Sequence, residues 1–379
     1  MLRTLFITSL LFLTHTVFPQ EKSFEAFLAD SAMMHASVSL CVADAEKGTI
    51  IMEYNSGRSL IPASVMKLLT SAAAIELLGP QYTFKTIIGY SGTLNKRNGK
   101  LTGNIVIQGG GDPALGSAYF SDNYQDFMNS WVTEIKKLGI RKIDGRVITD
   151  DSYYDYLPVP ARWLWEDAGN YYGAGVYGLS VFDNTCEIHF TTTSDSTQPQ
   201  INKIVPSEYS YKFTNRLISV GTSDNGYVFA APYNTYGWME GSIPSHNEDF
   251  VLKASIADPP LLIAKMINGR LEAGGITVSK DPATFRSEQK SFNEKIIPVT
   301  ETISPPLSEI IEVLNHESVN LYAEHLVKEL GKRFKNNGST ASGVEVVIDF
   351  LKMQASKPME CLSKMAVDSL LSMPLIRKH

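Results

Sequence analysis

Between Val38 and Leu78 the spacing of apolar residues changes once, from two to between three and four. Val38, Leu40 and Val42 alternate with other residues, Glu46-Lys47-Gly48 reads as a turn, and Ile50, Ile51, Met52 and Tyr54 return, so the pattern predicts a β-hairpin. Pro62-Ala63-Ser64 then opens a helix that runs to about Leu78. Its Val65, Leu68, Leu69, Ala72, Ala73, Ile75 and Leu78 recur at helical spacing, and Gly79-Pro80 stops it. Upstream, Phe24 to Met34 predicts a short helix with Ser23 as its cap.

From about Thr86 to Phe285 short β-like runs alternate with Gly, Pro, Asn and Asp turns. Leu101 to Gln108, Lys142 to Thr149, Cys186 to Thr192 and Val228 to Ala231 are examples, and the stretch reads as a β-rich insertion. Helical periodicity then returns. Pro305-Pro306 precedes Leu307, Ile310, Ile311 and Leu314. A second helix is expected from about Val319 to Leu330, ending at Gly331, and a third from Gly343 to Met353. No internal repeat or low-complexity segment interrupts this order.

The first twenty residues add a compartment. Arg3 precedes an apolar run from Leu5 to Leu13, too short to span a bilayer and of the form of a secretory signal; a buried N-terminal helix is the alternative. No Cys follows that would take a lipid anchor, and no later stretch has the length of a membrane span. The expectation is an exported, periplasmic protein with at most weak membrane association.

Composition narrows the class. The 379 residues are 44% hydrophobic, which excludes a disordered chain, and 3 Cys cannot form a disulfide scaffold. A formal charge of −6 argues against a nucleic-acid partner. The length exceeds what one core usually fills, so two domains or a large insertion are expected.

Ser64 is the hydroxyl with chemistry around it. Lys67 follows three residues later, so one helical turn places its amine on the same face, within reach of the serine proton. The helix N-terminus adds a positive dipole beside the nucleophile. On these four residues alone an ordinary helix cap with an exposed lysine is the better account, and Ser287–Lys290 has the same spelling in a polar stretch. The surrounding order of hairpin, Pro62-Ala63, motif and apolar helix is what changes the balance.

That order, with ASVMK at 63–67 and a helix closing on LLGP, resembles the serine-active penicillin-recognising enzymes, whose signature is S-x-x-K, then S-x-N, then K-T-G. Within them the chain looks like the D-alanyl-D-alanine carboxypeptidase/endopeptidase family of class C penicillin-binding proteins, which carry a large insertion between the first two motifs. GNIVIQGGGDPAL (103–115), IDGRVITDDSYYD (143–155) and WLWEDAGNYYGAGVYGLSVFDN (163–184) also resemble it, and the likeness covers roughly residues 36–354. Five places spell the second motif: Ser121–Asn123, Ser223–Asn225, Ser245–Asn247, Ser291–Asn293 and Ser318–Asn320. The last matches by context, between two apolar helices.

The resemblance implies an α+β fold, an antiparallel sheet flanked by helices, of the DD-peptidase/β-lactamase kind. It implies Ser64 as nucleophile and Lys67 as base. Ser318 would relay a proton to the leaving amine, and Asn320 would bind the substrate's amide. It further implies that Asp167 and Tyr172 reach back from the insertion to hold the free amino end of the stem peptide's third residue. The substrate would be a peptidoglycan stem peptide, β-lactams would acylate Ser64, and no metal or other cofactor is implied. The seven His and three Cys show no metal-ligand spacing. Gly109 to Pro113 lacks the Lys-Ser/Thr of a phosphate loop and reads as a turn.

The third motif departs from the family. No Lys-Thr-Gly, His-Thr-Gly or Lys-Ser-Gly occurs in the 379 residues, and the segment after Gln354 reads ASKPMECLSKMAVDSLLSMPLIRKH where the family expects D-G-S-G-L-S. One permitted back-translation from Ala355, preceded by a G and read with the frame shifted by that base, spells GIKTDGMSIEDGSGLSPFNAI. Residues 355–379 are therefore expected to be an off-frame tail that ends the chain before its last strands. The expected division is a signal peptide over 1–20, a catalytic first part over 21–85, an insertion over 86–285, a catalytic second part over 286–354, and the tail. The alternative function is a catalytically dead truncated product or a non-catalytic wall-binding module.

Overall fold

A computed structural model describes residues 19–120, 126–288 and 295–355. The expected signal run, the 355–379 tail beyond its first residue, Ser121–Asn123, Ser291–Asn293 and the end of Ser287–Lys290 lie outside the described residues. The described chain divides into two compact units, one formed by residues 19–61 with 352–355 and the other by Pro62–Leu351.

The smaller unit holds helix α1 (Pro19–Leu28) and an antiparallel hairpin, β1 (Leu40–Ala43) with β2 (Ile50–Tyr54). The hairpin is where alternation placed it. The helix is earlier and shorter than Phe24 to Met34, because the chain breaks at Asp30. Its carboxylate accepts the Ala32 N–H at 2.8 Å and starts a separate 3-10 turn, Ser31–Met33.

In the larger unit a 3-10 turn, Ala63–Val65, leads into α2 (Met66–Leu78). The chain then enters β3 (Lys85–Tyr90), β4 (Thr93–Asn95), β5 (Lys100–Thr102) and β6 (Ile105–Gln108). Helix α3 (Phe127–Lys137), β7 (Lys142–Ile143) and β8 (Val147–Asp150) follow. A region of small sheets comes next, containing β9 (Thr185–Thr191), β10 (Gln200–Val205), β11 (Lys212–Asn215), β12 (Ile218–Ser219), β13 (Asn225–Phe229), β14 (Tyr236–Ile243) and β15 (Phe250–Ser255). Helix α4 (Pro259–Ala273), β16 (Thr277–Val278), β17 (Ala283–Thr284), the single turn α5 (Phe285–Glu288) and β18 (Ile297–Ile303) complete it.

The main sheet has the order β17-β8-β6-β3-β18. Its β17, β8 and β6 are mutually parallel, while β3 is antiparallel to both β6 and β18, so this sheet is mixed. The largest core lies among α3, α4 and the strands, with Trp131, Ile135, Ile263 and Ile267 packed with Ile88 and Ile107. Trp131 also donates its indole N–H to Thr302 on β18 at 2.8 Å.

Helices α3 and α4 are absent from the sequence expectation of a β-rich stretch. Helix α4 does carry a start signal: Asp258 accepts the Leu261 N–H, and Pro259-Pro260 occupy the first turn. Strand β18 pairs along β3, so the main sheet runs past Phe285 to Ile303.

The last three helices are α6 (Leu307–Glu317), α7 (Asn320–Lys335) and α8 (Thr340–Ala355). Helix α7 continues through Gly331, the expected stop, and ends at Asn336 in the left-handed conformation. A Cβ at Gly331 would lie 2.7 Å from the Asn337 carbonyl oxygen, so this glycine permits a close approach rather than a helix end. Among the described residues no helix is long and apolar enough to cross a membrane.

Candidate active site

Ser64 sits on the 3-10 turn that feeds α2, directly after Ala63, whose φ is +47°. Lys67 lies one turn on, and its Nζ donates to Ser64 Oγ at 3.0 Å. The same Nζ donates to Ser318 Oγ at 3.2 Å. One amine thus bridges the serines of the two sequence motifs.

Ser318 is placed by the joint between α6 and α7. It closes α6 in the left-handed conformation, φ +56°, a backbone state that costs a non-glycine residue about 1–2 kcal/mol. The turn is held on α2 by Ser71, whose hydroxyl donates to Asn315 Oδ1 at 3.0 Å. Asn320, at the first position of α7, donates its Nδ2 to the Tyr172 carbonyl at 2.8 Å. Tyr172 belongs to a 3-10 turn, Tyr171–Gly173, and the Asp167 carboxylate lies near enough to act on its phenol. Burial first and the Asp167 charge second push the Tyr172 phenol up to about 12. All six sequence-derived site residues therefore form one connected constellation, with Asp167 joined through Tyr172 and Asn320.

A cleft lies beside Lys67, lined also by Met66, Thr70, Trp163, Asn320 and Glu324. Burial holds the Lys67 amine below its ordinary value, and the nearby Glu324 carboxylate partly opposes that. An amine lowered in this way is closer to the neutral form a general base requires.

The spellings at Ser223–Asn225 and Ser245–Asn247 fall in the small-sheet region, where Ser245 donates to the Gly221 carbonyl at 3.2 Å. They do not join this constellation.

The family-like segments 103–115, 143–155 and 163–184 hold α7. Glu329, fully buried, accepts from Tyr82 at 2.5 Å, Tyr153 at 3.1 Å, Tyr154 at 2.9 Å and Arg333 Nε at 2.8 Å. Buried Lys328 donates to Asp155 at 2.6 Å and to the Leu157 carbonyl at 2.9 Å. His325 Nδ1–H meets the Gly111 carbonyl at 3.0 Å, leaving Nε2 to accept from Ser180 at 2.9 Å. Tyr322 donates into the pair of Ser117 and Asp183. Gly111, Asp155 and Ser180 come from the three quoted segments, so these stretches anchor the helix that presents Ser318 and Asn320. Sequence reasoning singled out the segments but missed Glu324, His325, Lys328 and Glu329. The available signal was spacing, since Asn320, Glu324 and Lys328 are four apart on α7.

Known proteins resemble the chain over most of its length. The chain is 25% identical over 333 residues to a D-alanyl-D-alanine carboxypeptidase of Actinomadura sp., covering 84% of this chain and 59% of that protein. It is 23% identical over 327 residues to the D-alanyl-D-alanine carboxypeptidase DacB of Haemophilus influenzae, covering 84% and 64%. The chain thus spans about three fifths of the length of these curated relatives. Among solved structures, penicillin binding protein 4 (dacB) from Haemophilus influenzae shares the fold, with a TM-score of 0.68 at 20% identity over 86% of this chain and 71% of that one. A second structure of that protein, complexed with a β-lactam, gives a TM-score of 0.62 at 21% identity over 83% and 66%. The model of the D-Ala-D-Ala carboxypeptidase 3 (S13) family matches residues 20–356 of the chain, and the chain belongs to that family.

Proposed function

We propose that this chain is a serine-type D-alanyl-D-alanine carboxypeptidase/endopeptidase acting on peptidoglycan stem peptides through an acyl-enzyme on Ser64. The observation that carries the proposal is the Lys67 amine, shared between Ser64 Oγ at 3.0 Å and Ser318 Oγ at 3.2 Å. In its neutral form Lys67 takes the Ser64 proton as Oγ attacks the carbonyl between the two terminal D-alanines. The proton passes through Ser318 to the departing amine, and water then releases the acyl group. Asn320, tied to the Tyr172 carbonyl, orients the substrate amide, and the Asp167 carboxylate suits a substrate ammonium. β-Lactams would acylate the same oxygen; the Haemophilus protein is solved in complex with a β-lactam.

Residues 21–85 and 286–354 are proposed as the catalytic portion and 86–285 as the insertion, whose main sheet gains β18 from the second portion. Export to the periplasm, directed by residues 1–20, completes the proposal.

A fluorescent penicillin tests it. Covalent label on the 379-residue chain, lost in Ser64→Ala and in Lys67→Met, is the expected result. Because no Lys-Thr-Gly occurs in the 379 residues, absence of label on the folded chain would overturn the acyl-enzyme reading. That result would favour the alternative, a catalytically dead product or a non-catalytic wall-binding module.

A further inference from the structure

Beneath the Ser64–Lys67 pair lies a carboxylate that the proposed chemistry does not use. Glu324 follows Asn320 by one turn of α7 and lines the same cleft as Lys67. Its Oε2 is shielded from solvent and has no hydrogen-bond partner among the described residues. A shielded carboxylate oxygen without a partner is costly unless a charge nearby compensates it.

Two cations face it. Lys328, on the same helix, already has a carboxylate of its own, Asp155 at 2.6 Å, and a carbonyl, Leu157 at 2.9 Å. Among the described residues, Lys67, from α2, hydrogen-bonds only the hydroxyls of Ser64 and Ser318. The remaining elements around the cleft supply Thr70 from α2, Trp163, and the Asp167–Tyr172 pair beyond Asn320. His325, the next residue on α7, is committed to Gly111 and Ser180. Glu324 is therefore the carboxylate that answers the Lys67 charge.

We propose that Glu324 is a positioning residue for the Ser64–Lys67 pair, and that its carboxylate and the Lys67 amine titrate as one unit. The proposal rests on the reading of Lys67 as base and adds the group that governs its protonation.

The physical argument is reciprocal. Burial lowers Lys67, and an ionised Glu324 raises it again. Burial pushes Glu324 up to about 7, with Lys328 and then Lys67 opposing that rise. A proton taken by either group makes the other bind its own proton less tightly, so the two titrations are coupled. When Glu324 takes a proton its support for the Lys67 ammonium fades, and the amine gives up its own proton more readily.

The test reads the two groups directly in the full chain. Its lysines are carried as ¹³C-dimethylamines, with the Lys67 signal assigned by its loss in Lys67→Arg. That signal is expected to titrate in two steps, the lower one near neutrality. In Glu324→Gln it should collapse to one step, displaced downward by roughly one pH unit. If Glu324→Gln does not fold, the same coupling is read from the other side. The Glu324 carboxyl signal in ¹³C-glutamate-labelled protein should titrate higher in Lys67→Met by a comparable amount, as linkage requires. A Lys67 curve identical in wild type and Glu324→Gln, or a Glu324 midpoint unmoved by Lys67→Met, overturns the inference. Penicillin labelling is a separate readout: its failure would sink the acyl-enzyme reading and leave the coupling measurable.

Discussion

Lys67 and Ser318 lie 251 residues apart in the chain and share a hydrogen bond of 3.2 Å. The contact is made from both sides. Helix α2 aims the lysine by carrying it one turn beyond Ser64, and the left-handed turn between α6 and α7 aims the serine. Residues 86–285 lie between them in sequence, and loops of that stretch fix α7 through Glu329, Lys328, His325 and Tyr322. Residues remote from the nucleophile thus determine whether its second partner is in place.

That placement separates hydroxyl chemistry from backbone strain. Ser318→Gly removes the Lys67 partner and also relieves the left-handed conformation at φ +56°. The variant is expected to be as stable as wild type or up to about 1 kcal/mol more stable. Its rate of covalent penicillin labelling should fall by about 10²-fold or more, the scale of a lost proton-transfer group. Ser318→Ala should lose rate to the same extent without the gain in stability. Stopped labelling time courses alongside thermal melts check both halves, and equal labelling rates in all three proteins would remove Ser318 from the chemistry.

Legibility in the sequence followed the range of the interaction. The β1–β2 hairpin, α2 and α6 declare themselves through periodicity and punctuation, because the forces that shape them act over a few residues. Helix α4 did not, since Leu262, Ile263, Ala264, Met266, Ile267 and Leu271 are all buried and leave little polar face to mark a helix among strands. The pairing of β3 with β18 joins strands about 200 residues apart, and alternation says nothing about which strand meets which. The spacing of Ser64 and Lys67 is visible in the primary structure. Ser318 was singled out among five spellings only through family resemblance, and Glu324 passed unnoticed because a helical glutamate usually faces water.

The Glu329 cluster should be a keystone of stability. Four donors from three parts of the chain converge on one fully buried carboxylate. Glu329→Ala leaves three tyrosine hydroxyls and the Arg333 guanidinium without their shared acceptor, and a loss of about 3–5 kcal/mol is expected. Tyr153→Phe removes only one donor, at 3.1 Å, and should cost about 1 kcal/mol. Urea unfolding followed by tryptophan fluorescence measures both; a Glu329→Ala loss no larger than that of Tyr153→Phe would mean the cluster is not cooperative.

Two glycine replacements should have opposite signs. A Cβ on Gly343 would lie 1.8 Å from the Val327 carbonyl oxygen, so Gly343→Ala forces α7 and α8 apart. A loss of about 2–3 kcal/mol is expected. Gly269, inside α4, has nothing within 4 Å of the same position. Gly269→Ala therefore adds helix propensity without a clash and should stabilise by about 0.5–1 kcal/mol. Paired melts decide it, and equal shifts would place the sensitive contact elsewhere.

His325 makes stability depend on acid. It is fully buried, its Nδ1–H is committed to the Gly111 carbonyl and its Nε2 to the Ser180 hydroxyl, so the folded protein holds it neutral. Burial depresses it to about 3 from an ordinary 6.5, with the Gly111 hydrogen bond opposing and Lys328 adding a smaller repulsion. In the unfolded chain the same imidazole takes a proton near 6.5. Between these values the unfolded state binds one more proton, so this residue's contribution is fully present above 6.5 and is lost as pH falls toward 3. Other buried groups titrate in the same window in the opposite sense: Glu324, raised to about 7, and Asp151, raised to about 6, take protons in the folded state. The stability of wild type alone therefore mixes the two effects. The difference between wild type and His325→Gln isolates the imidazole, because the carboxylates are common to both proteins. The substituted amide is not ionisable, so wild type should lose ground to the variant by about 1.4 kcal/mol for each pH unit below 6.5. Chemical denaturation of both proteins at pH 7.5, 6, 5 and 4 gives the curve, and a flat difference across that series would show that His325 is charged in the folded protein.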